Sequence, residues 1–270
     1  MSIAGVISLT IQSARIIPWS ALLGGPPDPF VSVSINGGAE AGKTGYRTHD
    51  FNPSWMETKF IVLRSLDDFL TLSLFDHHEH RKHRFLGESC YKLSKLKEDV
   101  IQSGLLLSLL RNEKPRGEIL IDVIYYPLLQ TNDSSDSSAG VVSLLLPQAR
   151  NLDASGTHSG HLSPFAKVYL GYAIDGSDDP VLVTKHQHHS LHPIWNAKHD
   201  FYCPSREACV ISLQVIDDHR DESIIGHLSL QLNDLLDGNE TGVEWWPMSG
   251  CRTGEVMMHA VWRPLNLHSY

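Results

Sequence analysis

The amino-acid sequence predicts an all-β protein built of two tandem eight-stranded antiparallel β-sandwiches, and three observations carry that prediction. The chain repeats itself. Gly5-Val-Ile-Ser-Leu-Thr-Ile-Gln-Ser-Ala-Arg15 aligns with Gly140-Val-Val-Ser-Leu-Leu-Leu-Pro-Gln-Ala-Arg150, and Pro29-Phe30-Val-Ser-Val-Ser-Ile35 with Pro164-Phe165-Ala-Lys-Val-Tyr-Leu170, both at an offset of 135. Asn52-Pro53-Ser-Trp55 meets His192-Pro193-Ile-Trp195, Phe85-Leu-Gly87 meets Ile224-Ile-Gly226, and Gly117-Glu meets Gly254-Glu, the offset drifting between 135 and 140 as loops of differing length require. Within each repeat, short segments alternate apolar and polar residues with a period of two, as half-buried strands do. Gly, Pro, Asn and Asp punctuate those segments at the spacing of sandwich turns.

In chain order, Val6, Ser8 and Thr10 face one way and Ile7, Leu9 and Ile11 the other. Phe30 to Ile35, Lys59 to Leu63, Leu70 to Phe75 and Ile119 to Tyr126 continue the series. Helical character is confined to Leu93 to Gln102 and Leu232 to Leu236. Residues 130–139 hold no apolar side chain before Ala139, which reads as a solvated flexible linker. The expected organisation is one sandwich over 1–129, the linker over 130–139 and a second sandwich over 140–270.

Composition narrows the function. The 270 residues carry a formal net charge of −9; residues 1–129 hold 14 Lys+Arg against 14 Asp+Glu, and residues 130–270 hold 8 against 17. That balance is the wrong sign for nucleic acid. No apolar run approaches the ~18 residues that cross a bilayer, and Met1 to Ile11 has no basic leader. The expectation is a chain facing the cytosol, whole or cut from a protein anchored elsewhere. Cys90, Cys203, Cys209 and Cys251 lack CxxC spacing and read as buried thiols of a reducing compartment.

Four ordered motifs, each present twice, resemble the C2 domain. Asp28-Pro29-Phe30-Val31-Ser-Val33 is similar to that family's DPYVxV, Asn52-Pro53-Ser-Trp55-Met-Glu57-Thr-Lys-Phe60 to its NPxWNExF, and Leu72-Ser-Leu-Phe-Asp76 with Phe85-Leu86-Gly87 to its third loop. Ser163-Pro164-Phe165, His192-Pro-Ile-Trp195 and Val215-Ile-Asp217 with Ile225-Gly226 form the second set. Each repeat ends on its Gly-Glu strand, which resembles the permuted, type II topology. The wording looks most like the fungal tricalbins, relatives of the extended synaptotagmins. That resemblance implies a C2 pair, from a longer tether or a shortened relative, serving endoplasmic reticulum to plasma membrane contact and lipid transfer.

In calcium-binding C2 domains about five carboxylates of the first and third loops gather the ions. Here Asp28 and Asp76 match, whereas Leu22, His78 and Arg84 stand at the other positions of the first repeat; the second keeps Asp217, with Thr157, Ser163 and His219 around it. Hard cations want six to eight oxygens, so the ligand set is incomplete and no cofactor is expected. Membrane contact then falls to Trp19, Leu22 and Leu23 as an apolar wedge, beside Arg81, Lys82 and Arg84. Each such cation contributes about 1 kcal/mol near an anionic surface.

Several motifs mislead. Gly37 to Thr44 fits the phosphate-binding GxxxxGK[ST] pattern but precedes no helical period, so a hairpin turn is expected. His186, His188 and Ser190 would share one face if their segment were a strand, as edge histidines or transition-metal donors. His78-Glu79-His80-Arg-Lys-His83 misses HExxH, and no nucleophile elbow is present. An enzyme is not expected. Two readings follow: a peripheral module docking on anionic phospholipid, mostly without calcium, or an interaction scaffold without lipid binding, whose acidic second repeat takes a protein partner.

Overall fold

The computed structural model describes residues 3–18, 25–129, 137–155, 161–171, 180–218 and 222–267. The chain divides into two compact units, 1–128 and 129–270. Each is an eight-stranded antiparallel sandwich.

The first unit contains β1 (Gly5–Ile16), β2 (Pro29–Ile35), β3 (Glu40–Lys43), β4 (Ser54–Leu63), β5 (Phe69–Asp76), β6 (Arg84–Lys92), β7 (Ile101–Arg111) and β8 (Lys114–Pro127). The strand order is β3-β2-β5-β6-β7-β8-β1-β4, and the pairing of Glu88 of β6 with Leu110 of β7 carries the sheet from one layer to the other. The last strand lies beside the first. Alternation sets the inner face: Ile7, Leu9 and Ile11 of β1, Leu70, Leu72 and Leu74 of β5, and Ile119, Ile121 and Val123 of β8 are all buried in one core. Burying each such side chain is worth roughly 1.5–3 kcal/mol.

The segment expected to be helical over Leu93 to Gln102 is a short 3₁₀ helix, Leu93–Lys97, followed by β7 from Ile101. The apolar run from Leu105 to Leu110 is ambiguous by periodicity, and pairing with β8 decides it as strand.

The second unit contains β9 (Gly140–Arg150), β10 (Pro164–Gly171), β11 (Leu182–Val183), β12 (Ile194–Cys203), β13 (Val210–Asp217), β14 (Ser223–Gln231), α1 (Leu232–Thr241), β15 (Trp245–Pro247) and β16 (Glu255–Pro264). Its sheets run β11-β10-β13-β14 and β12-β9-β16-β15. α1 extends beyond the expected Leu236, because Leu232, Leu235 and Leu236 bury one face and Gly242, at φ 82°, closes its C-terminus. Trp246 packs where a Cβ on Gly238 would stand.

The repeated Gly-Glu dipeptide has a backbone cause. Gly117 and Gly254 adopt φ of 152° and 139°, and a Cβ on Gly117 would strike the Arg15 carbonyl. The 37–44 segment is a turn leading into β3, as the lack of a helical period predicts. Residues 130–136 of the expected linker lie outside the described residues. Ser137 and Ala139 are buried, and the Arg206 amide donates to the Ser138 carbonyl, so the linker's last residues pack as part of the second unit. Cys203 and Cys209 are buried as expected, whereas Cys90, on the outward side of β6, is exposed.

Candidate functional site

Strand registers gather four connections at one end of the first unit. Ile16 pairs with Gly117, Pro29 with Asp76, and Asp76 with Arg84, so Ile17, residues 25–28, the 44–53 and 77–83 loops and the tight turn at 112–113 lie together. Trp19, Leu22 and Leu23, the expected wedge, lie outside the described residues. Ile17, just before them, is exposed.

Asp76 organises this end. It is buried, its Oδ1 accepts the Asp28 amide at 2.8 Å, and its Oδ2 lies 2.7 Å from an Arg84 guanidinium nitrogen and 3.7 Å from His78 Nε2. Asp28 Oδ1 accepts the His49 amide at 2.7 Å and faces the His49 ring at 3.2 Å. The two carboxylates that match calcium positions are thus engaged by the chain's own amides and a guanidinium. Arg84 is committed to Asp76, while Arg81 and Lys82 are exposed and, among the described residues, have no carboxylate within ion-pairing range. His77 stacks on Tyr46 at 4.3 Å, and His83 meets the edge of Phe30 at 4.9 Å. A cleft of about 390 Å³ opens between Tyr46, Asp28, His77, His80 and Arg81.

The second unit repeats the backbone frame with other occupants. The Ser163 amide donates to Asp217 Oδ1 at 2.7 Å, as Asp28 does to Asp76. The Thr184 hydroxyl accepts the Ala166 amide at 2.8 Å, as Thr44 accepts that of Val31 at 3.0 Å. Ser223 pairs with Asp217 where Arg84 pairs with Asp76. Thr157 and His219 lie outside the described residues. His186 and His188 sit on a loop, not on a strand: His186 stacks on Phe165 at 4.3 Å with Nδ1 2.7 Å from Asp218, and His188 lies 3.4 Å from the Ser163 hydroxyl. Ser155, through its hydroxyl and amide, and the Arg252 amide hold the Asp153 carboxyl down to about 2.

Calcium does not fit the first unit's donors, where a guanidinium already meets the buried carboxylate. Among the described residues no group of three or more His, Cys, Asp or Glu is placed to hold a metal, and no helix is long and apolar enough to cross a membrane. Sequence reasoning missed two cations at this end, Arg111 and Lys114, which flank the 112–113 turn. The signal was a polar Asn-Glu pair ending the apolar run from Leu105 to Leu110, a run not read as a strand from the sequence.

Two sandwiches in tandem, each gathering connecting loops at one end around an anchoring aspartate, define a tandem β-sandwich module. The chain belongs to the C2 domain family, which it matches over residues 5–106 and 140–248. It is 26% identical to Tricalbin-1 of Saccharomyces cerevisiae over 272 residues, covering 97% of this chain and 22% of that protein. It is 26% identical to Extended synaptotagmin-1 of Homo sapiens over 258 residues, covering 88% and 22%. The chain therefore spans about a fifth of the length of these curated relatives. The solved, calcium-bound pair of C2 domains from Extended-Synaptotagmin 2 shares the fold at a TM-score of 0.63 and 18% identity, covering 98% of both chains.

Proposed function

We propose that this C2 pair is a non-catalytic module that docks on anionic phospholipid without calcium through the loop end of its first unit. The observation that carries the reading is the Arg84 guanidinium on buried Asp76, a built-in cation beside the carboxylate where calcium-binding relatives gather ions. Near it, Arg81 and Lys82 offer positive charge to phosphate, and the sequence of the preceding connection offers Trp19, Leu22 and Leu23 as the wedge. The likeness to tricalbins and extended synaptotagmins supports a place at endoplasmic reticulum to plasma membrane contacts, on the cytoplasmic face, in tethering and lipid transfer. The second unit, with its acidic excess, is repelled by anionic lipid and suits a protein contact.

Co-sedimentation with liposomes containing phosphatidylserine and a phosphoinositide, with calcium or with chelator, tests this. The wild type should sediment equally in both, and Trp19→Ala with Arg81→Gln and Lys82→Gln should stay in the supernatant. Failure of the wild type to sediment under any condition would leave the scaffold reading.

A further inference from the structure

The β7–β8 hairpin carries two features that the docking site does not use. Its turn is tight: Asn112 and Glu113, at φ of 51° and 62°, are both left-handed, the geometry that closes a two-residue hairpin and matches strand twist. The residues flanking that turn, Arg111 and Lys114, are direct cross-strand partners. Like charges directly opposite one another destabilise a strand pair. Among the described residues no opposite charge offsets them: neither Arg111 nor Lys114 has a carboxylate within ion-pairing range, and Glu113 at the tip forms no ion pair.

The hairpin is also fixed in place beside the docking loops. Arg111 lies over the Phe85 ring at 6.0 Å, one residue beyond Arg84, and a Cβ on Gly87 would stand 3.4 Å from Arg116 Cβ. Two exposed cations of the 77–83 loop and the opposed pair of the hairpin therefore occupy neighbouring corners of the same end of the first unit. The equivalent connection of the second unit, between β15 and β16, has no such pair. There Arg252 gives its amide to Asp153.

We infer that the β7–β8 hairpin tip is a second lipid-contacting loop, in which Arg111 and Lys114 together grip the phosphates of anionic headgroups. An anion bridging the pair turns their mutual repulsion into attraction. This surface rests on the membrane-docking reading and extends it from one loop to two, fixing which edge of the sandwich leans toward the bilayer.

The test is the same sedimentation assay in chelator, using vesicles of phosphatidylcholine with phosphatidylserine, on the full chain. Three charge-matched double variants are compared: Arg81→Gln with Lys82→Gln in the loop, Arg111→Gln with Lys114→Gln in the hairpin, and Lys92→Gln with Lys95→Gln at the opposite end. The hairpin pair should weaken partitioning roughly 30-fold, as the loop pair does, and the opposite-end pair by less than about 3-fold. The thermal midpoint of the hairpin variant should not fall, which separates lost contact from lost folding. Wild-type binding with a hairpin variant no weaker than the opposite-end control would overturn this inference and leave the docking proposal standing. Absence of wild-type binding would overturn both.

Discussion

Replacing Arg84 by Gln should unsettle the loop end of the first unit. Asp76 is buried, with its side chain 7% exposed, and its Oδ2 rests 2.7 Å from the guanidinium. Stripping one partner from a buried ion pair costs about 3–5 kcal/mol, because the other charge is left without compensation. Two features lower that figure. The Asp28 amide still reaches Oδ1, and the Arg84 side chain is 35% exposed, so water screens part of the attraction. The net loss should be about 2–3 kcal/mol, which for a unit of this size lowers its melting temperature by roughly 8–12 °C. Scanning calorimetry of the full chain reads the shift, with the second unit's transition as internal control. Asp76→Asn completes a double-mutant cycle. The two changes together should be less damaging than their sum by roughly 1–2 kcal/mol. A drop under 2 °C for Arg84→Gln, or strict additivity in the cycle, would refute the claim that the guanidinium holds this end together.

Three further outcomes follow from the same geometry. Millimolar calcium should leave the first unit's transition within about 1 °C of its value in chelator, since binding to the native state alone would raise it; a larger rise would show a calcium site there. Burial lowers the His199 pKa below its usual 6.5, with the neighbouring Asp200 opposing. The unfolded chain then binds the proton more readily than the folded one, so the second unit should lose stability as pH falls below about 6.5, and His199→Gln should flatten that dependence in melts between pH 7.5 and 5.5. Gly117→Ala should cost roughly 2–4 kcal/mol in urea unfolding, because its Cβ meets the Arg15 carbonyl at a left-handed φ, whereas Gly37→Ala, with open space around it, should cost no more than about 1–2 kcal/mol.

The fold was legible because its cues are local and duplicated. Alternation in β1 and β9, the paired Asn-Pro and His-Pro turns, and the Gly-Glu entries to β8 and β16 each state the same architecture twice. Where the two copies diverge, the reading faltered. Leu93 to Gln102 and Leu232 to Leu236 precede the corresponding last strands of the two units, yet one region forms a 3₁₀ turn and a long strand, the other a full helix and a three-residue strand. Short apolar runs take whichever form their neighbours can pair. The candidate site was legible in part. Asp28, Asp76 and Arg84 are brought together as their loops require, but the salt bridge that removes Arg84 from the exposed cations is a matter of distance, and no spacing reveals it. The histidines of 186–192 fell on a loop because β11 ends at Val183. The hairpin pair escaped notice because Arg111 reaches Phe85, beside Arg84, only through the β6–β7 seam.

The aspartate at the end of β5 and its counterpart at the end of β13 each receive a backbone amide from the start of the neighbouring strand. That bond stitches two loops shut whether or not a metal ever arrives. An acid at this position therefore has a structural task of its own: the folding of the loop end is reason enough for it, with or without an ion. Counting carboxylates alone therefore says little about calcium here, and the more telling letter is the one that faces the acid across the hairpin, arginine in one unit and serine in the other.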